Sequence, residues 1–271
     1  MSDSSAAIDA GDAIAAAFVA ARRSGRSLPA YPGERPGDLA QAYRIQDRAI
    51  ALDGREILGW KVGRINPPED ARLGTNRLAG PIFAGTAVEA ARGEVPDMPV
   101  FGTGFAAGEA ELLLHVAAGH RGAAPRDDAA TKALIDEVRL GIEVASSPYP
   151  GINTDGPCVT ASDFGNNAGL VLGAPLDSWR DIDLCAIPVR SLIDGAEVGA
   201  ATAATMLDGP YGAVRFLLAN LDARGIDYSR GLWVSSGAIT GVHQVAPGQT
   251  FTAIFGDYGR LECRLTDMAE R

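Results

Sequence analysis

The stretch GEAELLLHV, residues 108–116, places two carboxylates inside an otherwise apolar run. Read as a β-strand, its side chains alternate between two faces, so Glu109 and Glu111 point to the same side of the sheet, together with Leu113 and His115. Two like charges about 7 Å apart on a partly covered face repel each other and lose hydration. Water, a cation or a proton must therefore compensate the two acids.

Length and composition indicate a folded chain, either one large domain or a main domain with a small helical appendage. The 271 residues are 46% apolar, which is enough to bury a large core. The formal net charge of −10 and the lack of a basic cluster argue against a nucleic-acid partner. No uncharged apolar run reaches about 18 residues, so we expect no membrane partner.

The cysteines and the amino end both favour a cytoplasmic protein. Cys158, Cys185 and Cys263 are far apart and lack the spacing of a zinc site, as is typical of a reducing compartment. The amino end is acidic before its alanine-rich run, so it lacks the basic start of a signal peptide.

The pattern of apolar residues predicts helices first and strands afterwards. Residues 8–23 and 38–54 have helical periodicity, and Asp38 with Gln41 resembles a capping box at the start of the second helix. From residue 57 onward, short apolar runs are bounded by glycine and proline, which predicts a strand-rich body with helices near residues 128–138 and 211–224. Strands and helices do not alternate regularly, so we expect an α+β fold rather than a doubly wound sheet.

A third acid interrupts another predicted strand, VRLGIEVAS at residues 138–146. Glu143 shares its face with Gly141 and Ala145, whose small side chains leave room for a ligand to approach the carboxylate. Three carboxylates without matching histidines form a hard oxygen site, which suits Mg²⁺ or Mn²⁺ better than zinc. The alternative is that each glutamate lies on a solvated strand face.

A lysine lies among small residues in GWKVG, residues 59–63. Period-two alternation sets Trp60 and Val62 against the core and places Lys61 beside Gly59 and Gly63. Such a lysine can bind a substrate carboxylate or move a proton. It can equally lie along the sheet with its ammonium group in solvent.

Two further segments gather amide and hydroxyl groups next to apolar runs. SDFGNNAGLVLG at residues 162–173 contains Asn166 and Asn167, and SSGAITG at residues 235–241 contains Ser236. Either segment can be ordinary turn chemistry. His115 can orient one of the glutamates, or it can simply form hydrogen bonds with groups close to it. The motifs of serine hydrolases, P-loop NTPases and dinucleotide-binding enzymes are missing from the sequence.

Taken in order, these segments resemble the 2-keto-4-pentenoate hydratase (hydratase/decarboxylase) branch of the fumarylacetoacetate hydrolase superfamily. The resemblance extends from about residue 43 to the carboxyl end. Single motifs are weak, but their order and spacing are specific. The matching segments are AYRIQD, GWKVG, RLAGPIF, GEAELLLHV, GIEVASS, SDFGNNAGLVLG and SSGAITGVHQVAPG.

The resemblance implies a mixed β-roll or sandwich of the fumarylacetoacetate hydrolase type and a homo-oligomeric assembly. The helical N-terminal portion would cover residues 1–56, and the catalytic domain residues 57–271. By the same resemblance, a divalent cation, Mg²⁺ or Mn²⁺, would be bound by Glu109, Glu111 and Glu143. The catalytic candidates are Lys61 and Glu143, and the substrate-binding candidates are Lys61, Asn166, Asn167 and Ser236.

The implied activity is that of a hydro-lyase in the catabolism of aromatic or related compounds. It would add water to a 2-hydroxy-2,4-dienoate of the 2-keto-4-pentenoate type and give a 4-hydroxy-2-oxo acid. The alternatives are an oxalocrotonate-type decarboxylase, an acylpyruvate hydrolase and a catalytically degenerate partner subunit. Hydrolytic relatives keep a lid histidine in the N-terminal region, where this chain has none before His115.

Three positions depart from the family pattern. Ser146 stands where members typically carry an aspartate, and TNRLAG at residues 75–80 lacks the acid often found before the GPIF-like segment. Asn166 and Asn167 replace the usual pair of serines. These departures bear on the substrate and the proton-transfer step, and they leave the three proposed metal ligands in place.

Overall fold

The computed structural model describes residues 2–120 and 122–270, and the side chains of residues 10–120 and 122–270. Its helices are α1 (Ser2–Ser24), α2 (Leu39–Asp53), α3 (Glu69–Leu73), α4 (Asp128–Leu134), α5 (Pro157–Ser162) and α6 (Gly209–Arg224). Its strands are β1 (Ile57–Arg64), β2 (Arg77–Phe83), β3 (Ala87–Glu89), β4 (Asp97–Val100), β5 (Phe105–Val116), β6 (Ile135–Ser147), β7 (Asn167–Pro175), β8 (Pro188–Ile193), β9 (Ala196–Thr202), β10 (Leu232–Ser235), β11 (His243–Gln244), β12 (Thr250–Phe255) and β13 (Gly259–Asp267). The predicted α+β class is confirmed.

Two mixed sheets form the body of the protein. The larger sheet has the strand order β2-β1-β10-β5-β6-β7-β3, with the short β11 paired to β5. The smaller sheet has the order β4-β13-β12-β8-β9. The β12–β13 hairpin turns at residues 256–258.

The main core lies between the two sheets and α6. One face of β5 contributes Leu112 and Leu114, and the smaller sheet contributes Phe251, all fully buried. Leu217 and Leu221 of α6 belong to the same cluster. Burial of this apolar area is the main favourable term for the fold, and it fixes the opposite face of β5 toward the inside of the larger sheet.

The N-terminal helices pack against the open side of the larger sheet. Phe18 of α1 and Ile45 of α2 share a buried cluster with Phe83, Phe105 and other residues of the strand-rich body. Asp38 caps α2 by accepting a hydrogen bond from the Gln41 backbone N–H at 2.7 Å, as its sequence predicts. The division of the chain into two domains after residue 56 stays a prediction.

The larger sheet curls until its two edges meet. β2 at one edge contacts β7 near the other, and the turn Phe164–Asn166 fills the junction. Phe164, Gly165 and Asn166 all have positive φ angles, of 54°, 62° and 59°. A Cβ atom at Gly80 of β2 would lie 2.1 Å from the carbonyl oxygen of Phe164, so only glycine permits this contact. The curled sheet therefore forms a roll with an interior.

A buried ion pair ties α1 to the same turn. Arg22 donates from Nε and one terminal nitrogen to the two carboxylate oxygens of Asp163, at 2.6 and 2.9 Å. Its guanidinium also donates to the backbone carbonyls of Ser146 and Asn167, at 3.1 and 2.9 Å. Ser147 donates its hydroxyl to Asp163 at 2.6 Å. Helix α1 therefore holds the turn that closes the roll.

The elements differ from the sequence predictions in a few places. The predicted helix at residues 128–138 ends at Leu134, because β6 begins at Ile135 and pairs with the end of β5. A 3₁₀ turn at residues 84–86 separates β2 from β3. Within the described ranges, no helix is both long and apolar enough to cross a membrane.

Replacing Arg22 with Met should lower the free energy of unfolding by about 3–5 kcal/mol, because it leaves the buried carboxylate of Asp163 without its cation. Urea denaturation followed by circular dichroism measures this change. The control is Arg48→Met, which removes an exposed pair with Asp12 and should cost less than about 1 kcal/mol. Equal losses in the two variants would contradict the role given to Arg22.

Candidate metal centre and adjoining cavity

The three acids meet inside the roll because of the register between β5 and β6. Glu109 pairs directly with Glu143, and Glu111 lies opposite Gly141. Strand alternation then turns all three carboxylates to the inner face, where they are 4%, 0% and 0% exposed. One oxygen from each acid lies within 4.8 Å of the others. The predicted metal ligands are thus brought together, and the alternative of solvated glutamates does not describe their burial.

Two of the acids each have one oxygen held and one oxygen free. Oε2 of Glu111 accepts hydrogen bonds from the Ser235 hydroxyl and from the Gly237 backbone N–H, the latter at 2.9 Å. Oε1 of Glu143 accepts from the Asn167 amide at 3.0 Å. Their second oxygens, Oε1 of Glu111 and Oε2 of Glu143, have no hydrogen-bond partner among the described residues. Orphaned buried oxygens beside well-held ones are what a cation site requires.

Lys61 reaches the acids from across the interior of the roll. It lies on β1, two strands away from β5, yet its Nζ is 3.3 Å from Oε1 of Glu143. The same Nζ donates to the side-chain oxygen of Asn166 at 3.3 Å. The lysine is 4% exposed. The structure therefore places Lys61 inside the roll, and not in solvent along a flat sheet.

The cluster is buried and carries more negative than positive charge. Burial and charge together shift the pKa of Glu109, Glu111 and Lys61. Burial raises the pKa of Glu109 to about 7, and Lys61 only partly offsets this effect. Burial, followed by repulsion from Glu143 and Glu109, raises the pKa of Glu111 well above its usual value. Burial alone would lower the pKa of Lys61, but attraction to the three carboxylates outweighs burial and raises it. Without a divalent cation the site therefore retains protons that a cation would displace.

A cavity of about 930 Å³ opens onto the cluster. Its lining includes four of the residues that the sequence predicts for the site: Lys61, Glu109, Asn166 and Ser236. The Ser236 hydroxyl is buried and has no hydrogen-bond partner in the described part of the chain. The other three predicted residues, Glu111, Glu143 and Asn167, are buried outside this lining.

An apolar plug fills the roll on the other side of the acids. It consists of Ile82, Leu113, Leu170, Leu172 and Trp233. His115 lies beyond this plug, where it contacts the ring of Trp233 and pairs with Asp136 at 2.6 Å. His115 therefore does not orient either glutamate of its strand, which corrects one of the two interpretations of its position.

Two sequence-based interpretations of individual residues need revision. Gly59 does not clear space for Lys61: a Cβ atom there would lie 2.2 Å from the carbonyl oxygen of Trp233, so this glycine allows β1 to approach β10. Ser146 faces away from the acids and bonds to backbone groups, donating to Phe105 and accepting from Phe101. The serine that replaces the family aspartate thus joins two segments of backbone.

Sequence reasoning missed Arg22, Gly80 and Asn153, all of which support the site. Arg22 and Asp163 are 141 positions apart, and nothing local marks them as partners. Asn153 accepts a hydrogen bond from Asn166 at 3.0 Å and lines the cavity. A buried glycine within the apolar run RLAGPIF was the one available sign of close backbone contact.

Comparisons with known proteins support the fold. No family model matches the chain. A 4-oxalocrotonate decarboxylase from Pseudomonas putida is 28% identical over 132 residues, which are 49% of this chain and 50% of the relative. The chain thus matches about half the length of that curated relative.

Solved structures match nearly the whole chain. The 4-oxalocrotonate decarboxylase from Pseudomonas putida G7 with calcium and acetate has a TM-score of 0.75 at 23% identity, covering 95% of this chain and 97% of the other. Another structure of that enzyme contains magnesium and adipate. A fumarylpyruvate hydrolase from Pseudomonas aeruginosa with Mn²⁺ and pyruvate has a TM-score of 0.56 at 13% identity, covering 76% and 88%. These similarities confirm the predicted fold.

The Glu111→Gln variant should bind Mn²⁺ at least about 100-fold more weakly than the wild type, because it replaces a buried ligand oxygen that is otherwise free. Calorimetric titration with Mn²⁺ measures the affinity. Glu94→Gln, which changes an exposed glutamate on a distant loop, is the matched control. Unchanged affinity in the Glu111 variant would remove the proposed centre.

Stabilisation by Mn²⁺ should be larger at pH 8 than at pH 5.5. The folded-state pKa of Glu109 is raised to about 7, so in the metal-free protein stability is lost as pH rises from about 4.5 through 7. Bound Mn²⁺ would stabilise the buried negative charge of the deprotonated Glu109, whereas at pH 5.5 it must first displace protons. The melting temperature with and without Mn²⁺ at the two pH values measures the effect. Equal increments would contradict it.

Proposed function

The chain has the fold of the fumarylacetoacetate hydrolase superfamily, and from this premise we propose that it is a metal-dependent lyase. The proposed reaction adds water to a 2-hydroxy-2,4-dienoate and gives a 4-hydroxy-2-oxo acid. The observation that carries the proposal is the buried cluster of three carboxylates and one lysine at the end of an open cavity. The predicted cytoplasmic location and homo-oligomeric assembly remain part of this proposal.

Glu109, Glu111 and Glu143 would hold Mg²⁺ or Mn²⁺. When bound, such a cation supplies Lewis-acid stabilisation of the negative charge that develops on the carboxylate and 2-oxygen of the substrate. The protein's contribution is to hold the ligands. Ser235 and the Gly237 backbone fix Glu111, and Asn167 fixes Glu143.

Lys61 would act as a fixed positive charge. Because the neighbouring carboxylates raise its pKa, it keeps its proton and is a poor general base. Its Nζ is held between oxygens of Glu143 and Asn166 and lines the cavity. From there the ammonium can stabilise a substrate carboxylate or a developing dienolate.

The remaining predicted residues take different parts in this proposal. Ser236 lines the cavity, and its buried hydroxyl has no hydrogen-bond partner among the described residues, so we assign it to a substrate oxygen. Asn166 lines the cavity and positions Lys61. Asn167 is buried against Glu143, so we assign it to holding that carboxylate and not to binding substrate.

Decarboxylation is the second candidate, and the relatives favour it. The curated relative and the two solved structures with TM-scores of 0.75 and 0.74 are 4-oxalocrotonate decarboxylases. Loss of CO₂ from an unsaturated 2-oxo dicarboxylic acid leaves a dienolate, which the same charges would stabilise. Acylpyruvate hydrolysis needs a base to activate water, and the described lining of the cavity contains no histidine. A catalytically degenerate partner subunit would not need to keep the cluster of three carboxylates and one lysine intact.

The reaction is tested with purified protein, Mg²⁺ and a panel of substrates. With 2-hydroxypenta-2,4-dienoate, we expect the dienol absorbance to fall and 4-hydroxy-2-oxopentanoate to form without release of CO₂. Release of CO₂ from an oxalocrotonate-type substrate, with no hydration of the dienoate, would select decarboxylation. Cleavage of acylpyruvates with no consumption of either acid would reject both lyase candidates.

The Lys61→Met variant gives the matched test of the site. It keeps the apolar stem and removes the charge, so kcat/KM should fall by about 10²–10³-fold. Lys132→Met is the control, because Lys132 lies on α4, where it donates to the backbone carbonyl of Arg180 and lies outside the cavity lining. Equal activity of the two variants would return Lys61 to a structural role.

A further inference from the structure

Asn153 lies on the loop between β6 and α5 and lines the cavity. We infer that its amide nitrogen is a specificity-determining donor, which binds an oxygen of the substrate at the end remote from the carboxylate cluster. The inference rests on the proposed function in so far as a substrate occupies this cavity. It follows from the order of donors and acceptors that begins at Lys61.

The charge of Lys61 fixes the orientation of the Asn166 amide. An ammonium group can only donate hydrogen bonds, so the atom of Asn166 that lies 3.3 Å from Nζ must be the oxygen. The amide nitrogen of Asn166 must then point the other way. There it lies 3.0 Å from the side chain of Asn153.

The same reasoning fixes the orientation of Asn153. Because the Asn166 nitrogen donates, the atom of Asn153 that receives the bond must be its oxygen. The amide nitrogen of Asn153, with two donor hydrogens, is therefore the group left to face the cavity.

The loop that carries Asn153 is anchored on both sides. Ile152 is 0% exposed, and Tyr149 is buried with its hydroxyl bonded to Asp155. Thr160 donates its one hydroxyl hydrogen to the backbone carbonyl of Ile152 at 2.8 Å. The backbone that carries the exposed Asn153 side chain is thus held in place, which lowers the cost of ordering that side chain on binding.

This arrangement gives the cavity a polarised neutral donor in addition to its cationic residues. The positive charge of Lys61 polarises the Asn166 amide, which in turn polarises Asn153, so the final N–H groups are stronger donors than those of an isolated amide. Of the two arginines in the lining, Arg77 is paired with Asp208 and Arg64 is exposed. In a chain of net charge −10, such a donor helps to admit an anionic ligand.

The position of Asn153 assigns it to the far end of the substrate. Three successive contacts separate it from Glu143, through Lys61 and Asn166. A six-carbon dicarboxylate held at the carboxylate cluster by one end has a second carboxylate to offer to Asn153, whereas pyruvate has no polar group beyond its carboxylate and 2-oxygen. Loss of the donor should therefore weaken long ligands and spare short ones.

The test uses calorimetric titration of the Mn²⁺-loaded protein with adipate, a six-carbon dicarboxylate, and with pyruvate. Asn153→Asp keeps the oxygen that Asn166 needs but replaces the donor with a negative charge. We expect its adipate affinity to fall at least about 10-fold, with pyruvate and Mn²⁺ affinities within about 2-fold of wild type. Asn153→Ala, which removes the donor without adding charge, should also weaken adipate selectively.

The control is Asn76→Asp, which makes the same substitution at an exposed position outside the cavity lining. The inference is overturned if Asn153→Asp binds adipate as tightly as Asn76→Asp does, or if pyruvate binding weakens equally. It is also overturned if the wild type binds pyruvate and not adipate. These are binding measurements, so selective loss of adipate would support the role of Asn153 even if the panel of substrates showed no hydration.

Discussion

The interior of the roll contains an excess of buried negative charge, and the surrounding residues hold these charges together. Three carboxylates, almost completely excluded from solvent, face a single ammonium group. An arrangement of this kind is unfavourable in an apolar interior unless protons or a cation complete the balance. The raised pKa of Glu109 and of Glu111 is the direct expression of that imbalance. A hard divalent cation is the partner that suits these oxygens.

The fold concentrates these charges by two separate means. Neighbouring strands β5 and β6 supply all three acids through a simple register. Lys61 and Asn166 come from distant parts of the sheet and arrive only because the sheet curls. That closure depends on three successive residues with positive φ, and on glycine at position 80, where a Cβ atom would clash. It also depends on the ion pair between Arg22 and Asp163. Backbone strain at the turn is stabilised by these surrounding contacts.

The sequence predicts the local part of this architecture well, because alternation alone puts Glu109 and Glu111 on one face and shows Glu143 among small neighbours. It also predicts the α+β class and the Asp38 cap of α2. It cannot reveal contacts whose partners lie far apart along the chain, and Arg22 with Asp163 is the clearest case. His115 shows the opposite error, since it shares a strand face with the acids but lies past Leu113, beyond their reach.

The apolar plug beneath the acids limits the routes by which a ligand can reach the carboxylate cluster. Because these side chains fill the roll on that side, the cavity is the route by which ligands reach the cluster within the described structure. A bound ligand must then leave by the path on which the next one enters. Exchange of ligands at the cluster is therefore sequential, and ligands with the same head group compete for the same opening.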